Sequence, residues 1–346
     1  MPFSGIGAKG IGYAEETTWG LSSGIIDGSN NPDHWLDARG GMETVGMTVD
    51  QTIAQDLSQF GTINTDVSKG FRSVEGNIDF DVRYGGGWLM FLGHLLGQGK
   101  TDAGSDPYTH TFTLGADPSS AQTAKGIAIC ADRDGTEGGT KSWVYSGIRP
   151  TSMNFTFNQN GLTTCSATVI GKAQESMISS PTPTYSTLAY IKSPSDKASP
   201  TSFCAYGGAD YVCKSGSLNI AVPWELRRDV QAQNGLVPSL SGQLEITGSV
   251  EVETPNSIDS GGVEGNAFSQ NYQDQTLSAL VLSMNGADGN HNLAITLSKI
   301  LITADPTPHA SGPELQTTSL SFKAFGQVGA DEGSLVLTNT EATSWS

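Results

Sequence analysis

Between Ser73 and Tyr84 the chain alternates without a break. Val74, Gly76, Ile78, Phe80, Val82 and Tyr84 share one face, and Ser73, Glu75, Asn77, Asp79, Asp81 and Arg83 share the other. Side chains two apart lie on the same side of a strand, so this pattern demands a strand with one face on a core and one face polar. The pattern returns from Gln243 to Glu253: Leu244, Ile246, Val250 and Val252 oppose Gln243, Glu245, Thr247, Ser249, Glu251 and Glu253. A chain carrying two such stretches folds around β-sheet.

The surrounding segments repeat as well. After the first strand Gly85-Gly86-Gly87 breaks the pattern, and Trp88 to Leu96 is apolar almost all round, which predicts a short buried helix. Strands follow at Ile148–Asn158 and Leu162–Ile170 around Asn160-Gly161, a pair that tolerates the positive φ of a tight hairpin turn. After the second alternating strand, Leu277, Leu280, Val281 and Met284 stand at helical spacing with Asp274 as a cap, which predicts a helix over 274–284. Strands over 292–303 and 317–325 complete the second set. Strand, helix, strand, strand thus occurs twice, and the expectation is a duplication. Residues 1–175 form a first unit, the Ser-, Thr- and Pro-rich stretch 176–200 a linker, and 201–346 a second unit. Residues 1–40, Gly-rich with scattered apolar groups, read as an extended arm and loop.

Gly (43 residues) and only 15% charged residues suit strands and turns better than helical bundles. The net charge of −17 argues against nucleic-acid binding, which gains affinity by placing Lys and Arg on phosphates. No run reaches the length of a membrane span, and Met1-Pro2-Phe3-Ser4-Gly5 lacks the basic and apolar regions of a secretory signal. The expectation is a soluble protein with no membrane partner, made in the cytoplasm. Cys130, Cys165, Cys204 and Cys213 form no Cys-x-x-Cys pair and read as buried thiols.

Catalytic motifs fail on context. Gly5-x-Gly7-x-x-Gly10 matches a dinucleotide fingerprint but lacks the strand before it and the helix after it that phosphate binding requires. Asp132 to Glu137 resembles part of a calcium loop without its spacing or final Glu. His34, His94, His110, His291 and His309 fall in no zinc spacing. Asn154-Phe-Thr156 is a glycosylation acceptor of no consequence in an unexported chain. We therefore expect no catalytic residue, no metal and no cofactor. The acidic strand faces stand out instead: Glu75, Asp79 and Asp81 on one, Glu245, Glu251 and Glu253 on the other, with Arg83 the sole base. A solvated sheet face usually mixes both signs. Acidic faces lining a channel would repel a phosphate backbone and let DNA slide.

These features resemble the tail tube proteins of long, non-contractile-tailed bacteriophages. The similarity rests on the arm Glu15-Glu16-Thr17-Thr18-Trp19-Gly20 and on Val74-Glu-Gly-Asn-Ile-Asp-Phe-Asp followed by Trp88 to Gly97. Tyr108-Thr-His-Thr-Phe-Thr113 and the hairpin ending Val169-Ile-Gly-Lys172 add to it. The resemblance implies a mainly β fold, two tandem β-sandwich or barrel-like domains, each with one flanking short helix. It also implies rings that stack into a tube conducting DNA during ejection. The six acids above would line the lumen. A loop over about 50–72, including Gln51, Ile53, Leu57, Phe60, Ile63 and Val67, would bridge successive rings and order only on docking. With a duplicated chain, a trimer with pseudo-six-fold symmetry is favoured over a hexamer. Implied partners are further copies of the chain, a tape measure protein, and tail tip and tail terminator proteins; DNA passes without specific binding. The location is the virion tail.

Two other readings share the acidic, β-rich character. One is another virion structural protein, a capsid decoration or baseplate component. The other is an extracellular carbohydrate-binding or hydrolytic β-sandwich, with Trp143, Trp224 and Trp345 stacking on sugars and a carboxylate pair for hydrolysis.

Overall fold

The computed structural model describes residues 7–21, 34–36, 38–58, 61–134, 141–158, 161–179, 186–193, 203–229, 232–253, 264–286, 289–306, 317–326 and 332–342. Strands β1 (Gly7–Glu15), β2 (His34–Leu36) and β3 (Ala38–Glu43) precede a long hairpin, β4 (Gly46–Ser58) and β5 (Gly61–Asp81). Helix α1 (Leu89–Leu96), strands β6 (Thr101–Ala103) and β7 (Tyr108–Leu114), and the single turn α2 (Ser120–Thr123) follow. Then come β8 (Ile127–Asp134), β9 (Lys141–Asn158), β10 (Gly161–Leu162), β11 (Thr164–Gly171) and β12 (Ala173–Ser179). After β13 (Lys192–Ser193), the rest of the chain begins with β14 (Cys204–Tyr206), β15 (Ala209–Tyr211) and β16 (Cys213–Ala221). A hairpin of β17 (Trp224–Asp229) and β18 (Ala232–Leu240) leads to β19 (Glu245–Glu253) and helix α3 (Glu264–Gln273). Strands β20 (Ser278–Asn285), β21 (Asn292–Ile302), β22 (Thr317–Ala324) and β23 (Gly333–Asn339) end it.

The fold is mainly β, with large antiparallel sheets that, among the described residues, do not close into a barrel. One sheet runs β4–β5–β11–β9–β16–β19–β22, and the last residues of β21 add to β22. Its buried face carries Ile78, Phe80, Phe155, Val169, Leu218, Ile220, Val250 and Phe322. The long strand β9 serves two sheets. It pairs with β11 from Arg149 onward and with β16 from Ser152 onward, whereas its first half lies between β8 and β12, with β1 and β2 beyond β8. A register shift on β11 between Thr168 and Val169, opposite Ser152 and Pro150, marks the change of sheet. β21 is used in the same manner: it starts between β20 and β23, with β14 and β15 beyond β20, and ends on β22.

The two halves repeat one ladder. β5 meets β11 with Asp81 opposite Thr164 and Gly76 opposite Val169; β19 meets β22 with Glu253 opposite Thr317 and Gly248 opposite Phe322. Aligning the registers matches Val74-Glu-Gly-Asn-Ile-Asp-Phe-Asp81 to Ile246-Thr-Gly-Ser-Val-Glu-Val-Glu253. The halves also exchange material, because β7 of the first pairs with β23 of the second along its whole length.

Beneath the sheet lies α1, every residue of it buried and Gly97 closing it in the left-handed conformation (φ 65°). Trp88 meets Phe155 edge-on at 5.6 Å, and Tyr13 meets Phe91 edge-on at 5.0 Å. Such contacts follow from an apolar run too short to span anything but long enough to plug a sandwich.

Four expectations need correction. Part of the presumed arm is β1, whose Ile11, Tyr13 and Ala14 are buried; its glycines hid a strand that draws its apolar partners from β8. The second helix is at 264–273, not 274–284. Leu280, Leu282 and Met284 alternate with less buried residues and pair with Leu297, Ile295 and Leu293, so cross-strand packing decided a run that fitted either period. The true helix has only Ala267, Phe268 and Tyr272 among polar residues, Phe268 packing on Tyr206 and Tyr211, too few to give a clear apolar stripe. The expected bridging loop at 50–72 is a paired β-hairpin on both sides of the turn, from Ser58 opposite Gly61 down to Val49 opposite Arg72. Phe60 lies outside the described residues. Within 176–200, residues 176–179 extend β12, Ile191 is buried, and β13 pairs with β10.

Candidate functional site: the polar face of the joined sheet

The face opposite the core is set by strand alternation. Reading across the strands, one row runs Asp81, Thr164, Thr156, Ser217, Ser249, Ser321. The next runs Asp79, Ser166, Asn154, Asn219, Thr247, Lys323. Apart from the charges at the two ends, both rows are hydroxyls and amides. Nothing in the β9, β11, β16 or β22 sequences is loud enough to announce this surface. Their Ser, Thr and Asn residues become informative only once pairing sets them side by side.

The six candidate acids lie on this sheet in two groups. In the first half Glu75 is exposed and accepts a hydrogen bond from Ser73 Oγ (3.2 Å), while Asp79 and Asp81 are half-buried in β5. In the second half Glu251 accepts from Ser215 Oγ (2.9 Å) and Thr317 Oγ1 (2.8 Å). Glu253 pairs with Lys214, and Glu245 with Lys323 at 2.6 Å. The register pairs Asp79 with Glu251 and Asp81 with Glu253, but sets Glu75 against Thr247, so Glu245 has no acidic counterpart. Both lysines come from neighbouring positions that strand-by-strand reading missed. Arg83 is turned away: its guanidinium donates to the carbonyls of Ser186 and Leu188 and lies 3.9 Å over the Tyr190 ring. The face therefore offers hydroxyls, amides and acids, with two lysines already engaged by carboxylates.

Where the two halves join, a buried polar cluster fixes the sheet. Arg149, fully buried on β9, donates from Nη2 to the carbonyls of Thr123 (2.9 Å) and Lys125 (2.5 Å). Its guanidinium lies 4.6 Å from the Trp224 ring and 5.6 Å from the Trp19 ring, and burial lowers its pKa to about 10. Burial alone would raise the Glu15 carboxyl, but hydrogen bonds from His94, Lys125 and Gln122 outweigh it and hold the group at about 2. Beside it, burial raises Glu16 to about 7 against the pull of hydrogen bonds from the Gly147 and Gly20 amides. Glu15 and Glu16, at the end of β1, thus staple β1 and α1 to β9. His110 is likewise structural, its Nδ1 2.7 Å from Asp102 and its Nε2 3.1 Å from Asn339, which holds β7 to β23. Trp224 is buried, Trp143 is half-buried against the core, and Trp345 lies outside the described residues. Among the described residues no group of His, Cys, Asp and Glu is arranged to hold a metal, and no helix is long and apolar enough to cross a membrane.

A broad sheet with one face on a core and one open, polar, acid-bearing face makes this a β protein that presents a surface. The family profile described as phage tail tube protein matches residues 8–324, and the chain belongs to that family, whose members are structural components of the virion. No curated protein is significantly similar to it.

Proposed function

We propose that the chain polymerises as stacked rings into the tail tube of a phage with a long, non-contractile tail, and that the polar sheet face lines the conduit through which DNA is ejected. The observation that carries this reading is the seam between β9 and β16, from Asn158 opposite Ser215 to Ser152 opposite Ala221. There the last strand of one repeated ladder unit hydrogen-bonds the first strand of the next. Among the described residues β4 has no strand on its outer edge, and β22 has one only at Phe322–Ala324. Open edges of this kind invite pairing. Repeating the seam between copies joins β22 and β21 of one chain to β4 of the next, and three chains of two units each close the ring. A trimer with pseudo-six-fold symmetry is thus favoured over a hexamer.

Identical ring faces stacking head to tail give an open filament. The β4–β5 hairpin, rather than a loop, is the element we assign to contact between rings. A tape measure protein inside, and tip and terminator proteins at the ends, complete the assembly, which forms in the bacterial host cytoplasm. Negative-stain electron microscopy of the concentrated protein, with the native mass of the ring, tests the reading. Hollow tubes and a three-chain ring are expected. A six-chain ring overturns the trimer, and solid or absent filaments across all concentrations overturn the conduit.

A further inference from the structure

The β17–β18 hairpin occupies, between β16 and β19, the place that the outer part of the β4–β5 hairpin occupies in the first half. The two hairpins stand side by side. Asn234 of β18 runs parallel to Arg72 of β5, Arg228 Nη1 lies 3.6 Å from Asp50 Oδ2, and its guanidinium sits 4.4 Å over the Phe71 ring. The second-half hairpin therefore leans back across the sheet onto the hairpin of the unit before it.

On β18 itself the large apolar side chains Leu236 (37% exposed), Val237 (39%) and Leu240 (44%) face solvent. Among the described residues, the second edge of that strand meets another strand only at Asn234. Pro238 lacks an N–H on that strand, which disfavours continuous strand addition and leaves side-chain packing as the mode of contact. Apolar groups gathered on a projecting hairpin mark an interaction surface.

We infer that these residues receive the β4–β5 hairpin of the next copy of the chain, reproducing between chains the hairpin contact already made within one. The occupant follows from the repeat: each hairpin leans on the preceding unit, and the unit after the second half is the first half of another copy. The inference rests on the ring reading above. It adds a second lateral contact, outside the sheet seam, made by the base of the hairpin near Asp50 and Phe71 and leaving its outer part for contact between rings.

The test compares the full-length wild type with Leu236→Asp/Leu240→Asp. Hydrogen exchange of residues 233–242 is measured in unassembled and assembled wild type, and assembly is followed by light scattering and microscopy. The expected result is protection of this segment on assembly, at least a tenfold rise in the concentration the variant needs, and an unchanged far-ultraviolet spectrum and melting temperature for the unassembled variant. Equal exchange in both states, or a variant that assembles at the wild-type concentration, overturns the inference while leaving the tube reading standing. A wild type that never assembles overturns both. Should the variant melt early, Leu236→Asn/Leu240→Asn replaces it, with the same two readouts deciding.

Discussion

Trp224 donates its indole N–H to the carbonyl of Leu95 at 2.7 Å, tying the start of the second-half hairpin to the end of the first-half helix. The same ring covers Arg149. Trp224→Ala should cost about 3–5 kcal/mol, as deletion of a large buried ring does. Trp224→Phe keeps a ring over the guanidinium and loses the hydrogen bond, for about 1–2 kcal/mol. Urea unfolding followed by circular dichroism measures both. Equal losses would mean the hydrogen bond, not the packed ring, holds the joint.

Gly76 and Gly248 hold equivalent register positions. A Cβ on Gly76 would lie 2.5 Å from Val45 Cα, and one on Gly248 would lie 2.4 Å from Ser217 O and 2.6 Å from the Phe322 ring. Backbone cannot yield as a flexible side-chain end can. Gly76→Ala and Gly248→Ala should each destabilise by about 1–3 kcal/mol, read as a lower denaturant midpoint at unchanged slope. A stable Gly248→Ala would show that the β16–β19 pair can spread.

Stability should depend on pH through Glu16. Its folded pKa, about 7, lies above the ordinary value of 4.5, so between these the folded state binds the extra proton. That contribution is full below pH 4.5 and is lost as pH rises through 7, by on the order of 2–3 kcal/mol. Glu15, held at about 2, acts in the opposite sense: its contribution is present above pH 4.5 and lost on acidification. Melting temperature should therefore fall between pH 5 and 8 in the wild type and fall less in Glu16→Gln. An unchanged slope in the variant would assign the dependence to another group.

The polar face should tolerate DNA without holding it. Asn154→Lys, Ser217→Lys and Asn219→Lys together place three ammonium groups on adjacent strands at positions the wild type leaves uncharged. Assembled variant should retain short duplex DNA with an affinity that falls steeply as salt rises, and the wild type should show no such binding. Fluorescence anisotropy at two salt concentrations decides. A variant that ignores DNA would overturn the proposal that this face lines a conduit.

Much of the fold was legible where a single strand carries its own pattern. Val74 to Asp81 and Ile246 to Glu253 announced themselves by alternation, although the strand stops before Val82–Tyr84, and Leu89 to Leu96 did so by unbroken apolarity. What failed depended on partners. β20 fitted two periods until β21 chose one, and β1 looked like a Gly-rich arm until β8 covered it. The β17–β18 hairpin was missed because Trp-Glu-Leu-Arg-Arg-Asp has no clean period. The six acids were visible in sequence, but Lys214 and Lys323 reach Glu253 and Glu245 from neighbouring positions, a proximity no single strand encodes. The match of Val74–Asp81 to Ile246–Glu253 was present in the residues all along. Conservative replacements obscured it, and it became plain only when the ladders supplied the alignment.

The seam between β9 and β16 also changes the arithmetic of assembly. In the proposed three-chain ring, the covalent tether between the two units would fix their relative position before any partner is met, so half of the lateral joints would form intramolecularly, at high effective concentration. Only the remaining joints incur the loss of translational and rotational freedom that attends each encounter. The tethered joint and the free joint are consequently different surfaces under different demands. Substitutions can loosen or tighten the joint between chains, and so set how readily rings form, without touching the one within.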